Sequence, residues 1–145
     1  MRMLFVHVES FWYEAKIRTP IAVEIPDEMK ARNFGEAVVV LYSTEAADDQ
    51  DPSEVARLAA NEIRSYISKV GPKRLILFAF AFLVGRDEKS SSSTAAAMEK
   101  LLVGELNMPE VEIVPFGWYK KFSITSMGHK YSVHSVRVVP TGTGH

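Results

Sequence analysis

Ala37-Val38-Val39-Val40-Leu41-Tyr42 is the stretch on which the fold turns. It is continuous, apolar and rich in β-branched side chains, the pattern of a strand covered on both faces rather than one with a wet side. Working outward, Asp51-Pro52-Ser53-Glu54 opens a helix, because proline suits the first turn and carboxylates suit the positive end of the helix dipole. Val55, Leu58, Ala59, Ile63, Tyr66, Ile67 and Val70 give that helix an apolar stripe at three- and four-residue steps, and Gly71-Pro72 ends it. Leu75 to Phe82 reads as a second buried strand, followed by the polar loop Gly85 to Ser90. Ser93-Thr94 then leads into Ala95, Ala96, Ala97, Met98, Leu101 and Leu102, an N-cap region feeding good helix formers. Asn107-Met108-Pro109 stops this second helix.

Upstream, Met3 to Glu9 reads as a strand and Phe11 to Ile17 as its hairpin partner, with Ser10 at the turn. Downstream, Val111 to Val114, Trp118 to Thr125 and Tyr131 to Val139 read as strands separated by Pro115-Phe116-Gly117 and Met127-Gly128-His129. They are expected to form a terminal antiparallel meander. The fold class that follows is α/β, a mixed β-sheet domain with two helices packed on one side. Residues 1–140 make one domain, and 141–145 are a flexible tail or the point at which a longer chain is cut.

With 145 residues, 47% of them hydrophobic and 24% charged, the chain has the size and composition of a single folded domain. It contains no cysteine, which excludes disulfides, thiolate metal sites and a cysteine nucleophile and fits the cytoplasm. The longest apolar run, Leu75 to Gly85, is about half of the roughly 20 residues a membrane helix requires, so no membrane partner is expected. A net charge of -1 means that any nucleic-acid partner meets a local patch.

Lys120 is the most informative single residue. Strand alternation puts it on one face with Trp118, Phe122 and Ile124, opposite Tyr119, Lys121, Ser123 and Thr125. A lysine on an apolar face either snorkels to an edge or lines a cleft where its ammonium meets a ligand, since burial without a partner is costly. His7 ends a strand, where ligand-lining residues collect in α/β sheets, although a hydrogen-bonded structural histidine gives the same pattern. The four histidines lack the helical spacing of a zinc hydrolase, and no metal or cofactor is expected. Gly85 to Ser90 lacks the second glycine of a phosphate loop, and the serine run has no G-x-S-x-G elbow. Asp48, Asp49 and Asp51 read as a solvated helix start. Trp118, Tyr119, Lys120, Lys121, Lys130 and Arg137 form the local basic and aromatic patch that single-stranded nucleic-acid ends need.

Pro115-Phe116-Gly117-Trp118-Tyr119-Lys120-Lys121-Phe122, followed by Gly128-His129, resembles the signature of the N-terminal editing domain of archaeal threonyl-tRNA synthetases. Met1-Arg2 leading into a strand that ends at His7, and Tyr13-Glu14, agree with it. The resemblance implies a D-aminoacyl-tRNA deacylase-like fold and hydrolysis of serine wrongly esterified to threonine tRNA. It implies that backbone groups and the 2′-hydroxyl of the terminal ribose carry much of the chemistry. Lys120 is then the catalytic residue, stabilising developing charge or holding the ribose, and Tyr119, Phe116, Gly117 and His7 contact substrate. Ser43, Thr44, Ala81 and Phe82, at the ends of the two buried strands, supply walls of backbone N–H and C=O groups. Phe82 stands where the family often has a histidine, and Val133 where it often has a glutamate. The implied partners are the 3′ end of threonine tRNA carrying serine, the catalytic and anticodon-binding domains of a synthetase in cis or in trans, and a second copy in a homodimer. A synthetase active site itself does not fit in a domain of this size. A D-aminoacyl-tRNA deacylase and a non-catalytic tRNA-binding module are the alternatives.

The need for such a domain is physical. Serine and threonine differ by one methyl, and a pocket discriminates such a group by only about 1 to 3 kcal/mol, so accurate translation needs a second sieve.

Overall fold

The computed structural model describes residues 1–142. Its strands are β1 (Arg2–Arg18), β2 (Ala31–Phe34), β3 (Ala37–Ser43), β4 (Leu75–Ala79), β5 (Val111–Ile113), β6 (Trp118–Ser126) and β7 (Val133–Arg137). Its helices are α1 (Pro52–Val70) and α2 (Ser92–Leu106). The strands form one mixed sheet with the order β2-β1-β3-β4-β5, and β6 and β7 add to the other edge of β1. β3, β4 and β5 are mutually parallel, whereas β1 runs antiparallel to all its neighbours.

Every residue of β3 is buried, as a central strand requires. Its two faces serve two cores. Val38, Val40 and Tyr42 join Phe5, Leu75 and Leu77 beneath Val55, Ala59, Ile63, Met98 and Leu102 of the helices. Val39 and Leu41 join Phe11, Tyr13, Phe34, Ile76 and Phe78, a layer the sheet closes by curling so that Ile124 of β6 packs onto it. Two helices therefore suffice: they cover one face, and the sheet covers the other.

The expected hairpin at Ser10 is absent, and β1 is a single strand of 17 residues. Its first half lies between β3 and β7 and its second half between β2 and β6, so neither half needs the other as a partner. Register shifts between Val8 and Ser10 and between Ala15 and Ile17 mark bulges relative to β6, which bend the strand. The polar pair Glu9-Ser10 is exposed at the first of these bends. The terminal meander is also corrected: β5 extends the parallel edge, and β6 and β7 each pair with β1 instead of with one another. β2 had no signal in the sequence, its residues Ala31 to Phe34 being too mixed in character for a strand pattern.

Both helices carry caps. Asp51 accepts from the Glu54 amide at 3.1 Å, and Gly71 ends α1 in the left-handed conformation at φ 60°. The second cap is Ser91, upstream of the expected Ser93-Thr94, and it accepts from the Thr94 amide at 3.3 Å. The acidic run before α1 is less solvated than its composition suggests. Asp48 is fully buried, taking the Met1 ammonium at 2.9 Å and the Glu45 amide at 2.8 Å. Both the amide and the hydroxyl of Thr141 bond the Glu54 carboxylate, so the described part of the expected tail is tied to the first turn of α1, while residues 143–145 lie outside the described residues. Among the described residues no helix is long and apolar enough to cross a membrane.

Candidate functional site

A cleft of about 380 Å³ opens at the carboxyl ends of the parallel strands β3 and β4, the edge at which ligands of α/β sheets bind. Its floor is Tyr42, Ser43 and Thr44 from β3 and Phe78, Ala79 and Phe80 from β4. Lys89, Ser90, Ser91 and Ser92 approach from the start of α2, and Phe116 to Lys120 with Phe122 form the facing wall. Eight of the nine residues singled out from the sequence line it: Ser43, Thr44, Ala81, Phe82, Phe116, Gly117, Tyr119 and Lys120.

The ninth, His7, does not. It pairs with Val38 at the start of β3, five residues from Ser43, roughly 16 Å along a strand. Its ring Nδ1 is 2.7 Å from Nε2 of His129 and its Nε2 is 2.7 Å from the Glu36 carboxylate. His7 is thus 6% exposed and hydrogen-bonded at both nitrogens, the structural alternative left open by its sequence position. Val133, 55% exposed on β7, is also outside the cleft, whereas Phe82 lies in it.

Lys120 reaches the cleft as strand parity requires. Its ammonium donates to the carbonyls of Pro115 at 3.0 Å and Trp118 at 2.6 Å and lies 5.5 Å from the centre of the Phe78 ring. Among the described residues no carboxylate is within ion-pairing distance of it. Burial without a counter-charge disfavours the charged form, and the Lys120 pKa falls from 10.5 to about 8. Of its three N–H donors, two are engaged by backbone and one is left for a ligand.

The wall that carries Lys120 depends on Gly117, which has φ +82°. A Cβ there would stand 2.6 Å from both the Ala22 Cα and the Ile21 carbonyl oxygen. This close approach lets the Gly117 carbonyl accept from the Thr19 amide at 3.1 Å and its hydroxyl at 2.5 Å. Nearby, the Val23 amide donates to the Phe116 carbonyl at 3.1 Å, and the Trp118 indole N–H donates to the Val23 carbonyl at 2.9 Å. The Pro-Phe-Gly turn is therefore held by the segment Thr19 to Val23, which brings Thr19 and Ile21 to the cleft. Nothing in the sequence pointed to those two residues, because they reach the site by contacts spanning 98 positions of chain.

On the floor, the Ser43 hydroxyl donates to the Phe80 carbonyl and accepts from the Leu83 amide at 3.0 Å. The Thr44 and Ser90 hydroxyls are 2.6 Å apart. Ser43 thus fixes the turn that presents Phe80 and Phe82, and Thr44 ties β3 to the start of α2. Phe80 packs edge to face against Phe78, Phe82 and Phe122 at 5.5, 5.3 and 5.9 Å. The result is an aromatic cleft whose wall carries a buried cation without a counter-charge, suited to a ligand that is partly apolar and develops negative charge. Among the described residues no group of three or more histidine or acidic side chains is arranged to hold a metal.

Comparisons with known proteins give this geometry its context. The chain is 32% identical over 144 residues to a threonine–tRNA ligase of Methanosarcina acetivorans, covering 99% of this chain and 22% of that protein. It is 33% identical to the Methanopyrus kandleri ligase over 142 residues, covering 97% and 22%, and 34% identical to that of Methanothrix thermoacetophila over 145 residues, covering 99% and 23%. It thus spans between a fifth and a quarter of the length of these relatives. Among solved structures, a c-Myc DNA Unwinding Element Binding Protein superposes with a TM-score of 0.62 at 11% identity, over 97% of this chain and 100% of that one, a likeness of fold. The sequence model of the archaea-specific editing domain of threonyl-tRNA synthetase matches residues 1–138, and the chain belongs to that family of aminoacyl-tRNA deacylase domains.

Proposed function

We propose that the domain hydrolyses the ester of L-serine wrongly attached to threonine tRNA. The observation that carries this reading is Lys120, a cation with a free donor inside an aromatic cleft at the carboxyl ends of two parallel strands. A water attacks the ester carbonyl and gives up a proton, and the carbonyl oxygen becomes an oxyanion. As the oxyanion collapses, the bond from the acyl carbon to the 3′ oxygen of the ribose breaks, and that oxygen leaves with the proton given up by the water. The Lys120 ammonium stabilises the oxyanion by its third N–H, a type of contact worth roughly 3 to 4 kcal/mol. The neighbouring 2′-hydroxyl of the ribose and backbone groups of the floor position the water. This division suits the chain: Phe82 occupies the position of the family's histidine, Val133 lies outside the cleft, and among the described residues no carboxylate or imidazole lines the cleft to act as a base.

Rigid backbone walls make the sieve. A pocket closed around serine excludes the threonine methyl by overlap, which demands fixed walls, and the Ser43, Thr19 and Trp118 hydrogen bonds fix them. Binding to the 3′ end of the tRNA, attachment to synthetase catalytic and anticodon-binding domains in cis or in trans, and a homodimer belong to the same reading. Exposed Tyr131, Val133 and Val139 along the free edge that includes β7 support the homodimer.

The test is deacylation of serine-charged and threonine-charged threonine tRNA by this chain. Release of serine but not threonine is expected, and loss of turnover when the terminal 2′-hydroxyl is replaced by hydrogen. Equal release of both amino acids, or faster release of a D-amino acid than of L-serine, overturns the reading.

A further inference from the structure

Phe82 is a large apolar side chain left open to solvent at the cleft. The residue is 67% exposed, although Phe80 and Phe78 beside it are half-buried and buried. It is nonetheless held firmly. Phe80 meets it at 5.3 Å with an interplanar angle of 74°, and the Ser43 hydroxyl pins the turn on both sides of it, through the Phe80 carbonyl and the Leu83 amide. An exposed aromatic ring in a fixed orientation at the lip of a cleft is a stacking surface for a flat ligand.

Lys89 adds a second feature. Its ammonium lies 5.6 Å from the centre of the Phe82 ring and, among the described residues, is in no ion pair. The backbone beneath is anchored, since Lys89 bridges to Glu45 and the Ser90 amide donates to the Thr44 carbonyl at 3.4 Å. A cation on a flexible stem beside an exposed ring, on an anchored backbone, complements a ligand that joins a planar ring to an anion. A nucleotide has both.

We propose that Phe82 and Lys89 form the subsite for the terminal nucleotide of the tRNA, Phe82 stacking on its purine base and Lys89 taking the phosphate on its 5′ side. This rests on the editing reading above, which puts the aminoacyl ester near Lys120 on the facing wall. The two groups then divide the substrate: the base is held at the lip on the α2 side, and the ester reaches across the floor to Lys120. On binding, the Lys89 ammonium leaves the ring for the phosphate. Phe82 is in this account an affinity determinant, and its aromatic ring replaces the imidazole usual in the family without needing any acid or base chemistry.

The probe is a short RNA ending in CCA whose terminal base is 2-aminopurine and whose serine is joined by an amide to a 3′-amino ribose, so that it cannot be hydrolysed. Stacking on Phe82 quenches its fluorescence. Wild type and Phe82→Trp are expected to quench it, and Phe82→Ala to lose the quenching and bind at least about 5-fold more weakly, the lower end of the contribution of one stacked base. With hydrolysable seryl-tRNA, Phe82→Ala raises KM by a similar factor and leaves kcat within about twofold. Lys89→Ala weakens binding of the same RNA and lowers the slope of log affinity against log salt by about one. Phe82 is exposed, so its variants are expected to fold as wild type does, and an unchanged thermal midpoint checks it. If Phe82→Ala quenches and binds like wild type while wild type hydrolyses seryl-tRNA, the subsite is refuted and the editing reading stands. If wild type binds and quenches but releases no serine, the editing reading falls and the subsite remains.

Discussion

The Lys120 ammonium stands 5.5 Å from the centre of the Phe78 ring, held by the carbonyls of Pro115 and Trp118 and by no carboxylate among the described residues. Burial sets its pKa at about 8, so at neutral pH it is charged, and it is uncharged only above that range. If the ammonium stabilises the oxyanion, Lys120→Ala lowers the rate of seryl-tRNA hydrolysis by about 10²- to 10³-fold at pH 7. The ratio of wild-type to variant rates, measured between pH 6.5 and 9.5, falls as the pH passes about 8. A ratio that rises through that interval indicates a neutral amine acting as base instead.

The same shift affects stability. Between pH about 8 and 10.5 the unfolded chain keeps a proton on Lys120 that the folded chain has released, so the folded state gains on the unfolded state as pH rises through that window. Below about pH 8 both states are protonated and the burial cost is constant. Urea midpoints of wild type and Lys120→Met, followed over pH 7 to 11, are expected to shift in favour of wild type within that window. Parallel curves show that Lys120 is better solvated than its position indicates.

Gly117→Ala attacks the wall that carries Lys120. The residue combines a left-handed φ with a Cβ site 2.6 Å from two backbone atoms, so alanine costs about 1 to 3 kcal/mol in strain, and the Thr19 to Val23 segment has to move as well. Thermal unfolding should show the lower midpoint, and deacylation should fall with it.

Ser43→Ala removes a hydroxyl that serves the fold of the cleft. It leaves the Leu83 amide without its partner, at a cost of about 1 to 3 kcal/mol. A rise in KM larger than any fall in kcat is expected, because the turn bearing Phe80 and Phe82 loses its pin. Ser43→Thr, which keeps the hydroxyl, should recover much of the loss if the added methyl fits.

His7→Ala separates structural from catalytic histidines. It strips partners from His129 and Glu36 and is expected to lower stability by about 1 to 3 kcal/mol, with the rate of serine release per folded molecule unchanged. A rate loss of tenfold or more at full folding would restore His7 to the site. Nearby, Ser132 is 3% exposed and its hydroxyl has no hydrogen-bond partner among the described residues, so Ser132→Ala is expected to be neutral or stabilising by up to about 1 kcal/mol.

Much of this was legible in the chain. The β-branched run of β3, the Asp51-Pro52 start and Gly71 stop of α1, and the Pro115 to Phe122 motif are local signals, and local signals survive in sequence because backbone propensity and strand parity act over a few residues. Parity alone placed Lys120 on the apolar face. The α/β class and the paired helices on one side followed from the order of such elements.

The tertiary structure decided what depends on partners distant in sequence. Whether Glu9-Ser10 is a turn or a bend depends on which strands flank β1, and those lie at Ala31 to Ser43 and Trp118 to Arg137. Whether His7 lines a cleft or bonds Glu36 depends on which end of β3 it meets. Thr19 and Ile21 enter the site only because Gly117, nearly a hundred positions away, lets two backbones touch. Sequence fixes the conformational preference and the face of each residue, which are properties of neighbours along the chain. The company each face keeps is set by long-range packing and the curl of the sheet, and that is where the aromatic cleft around Lys120 comes from.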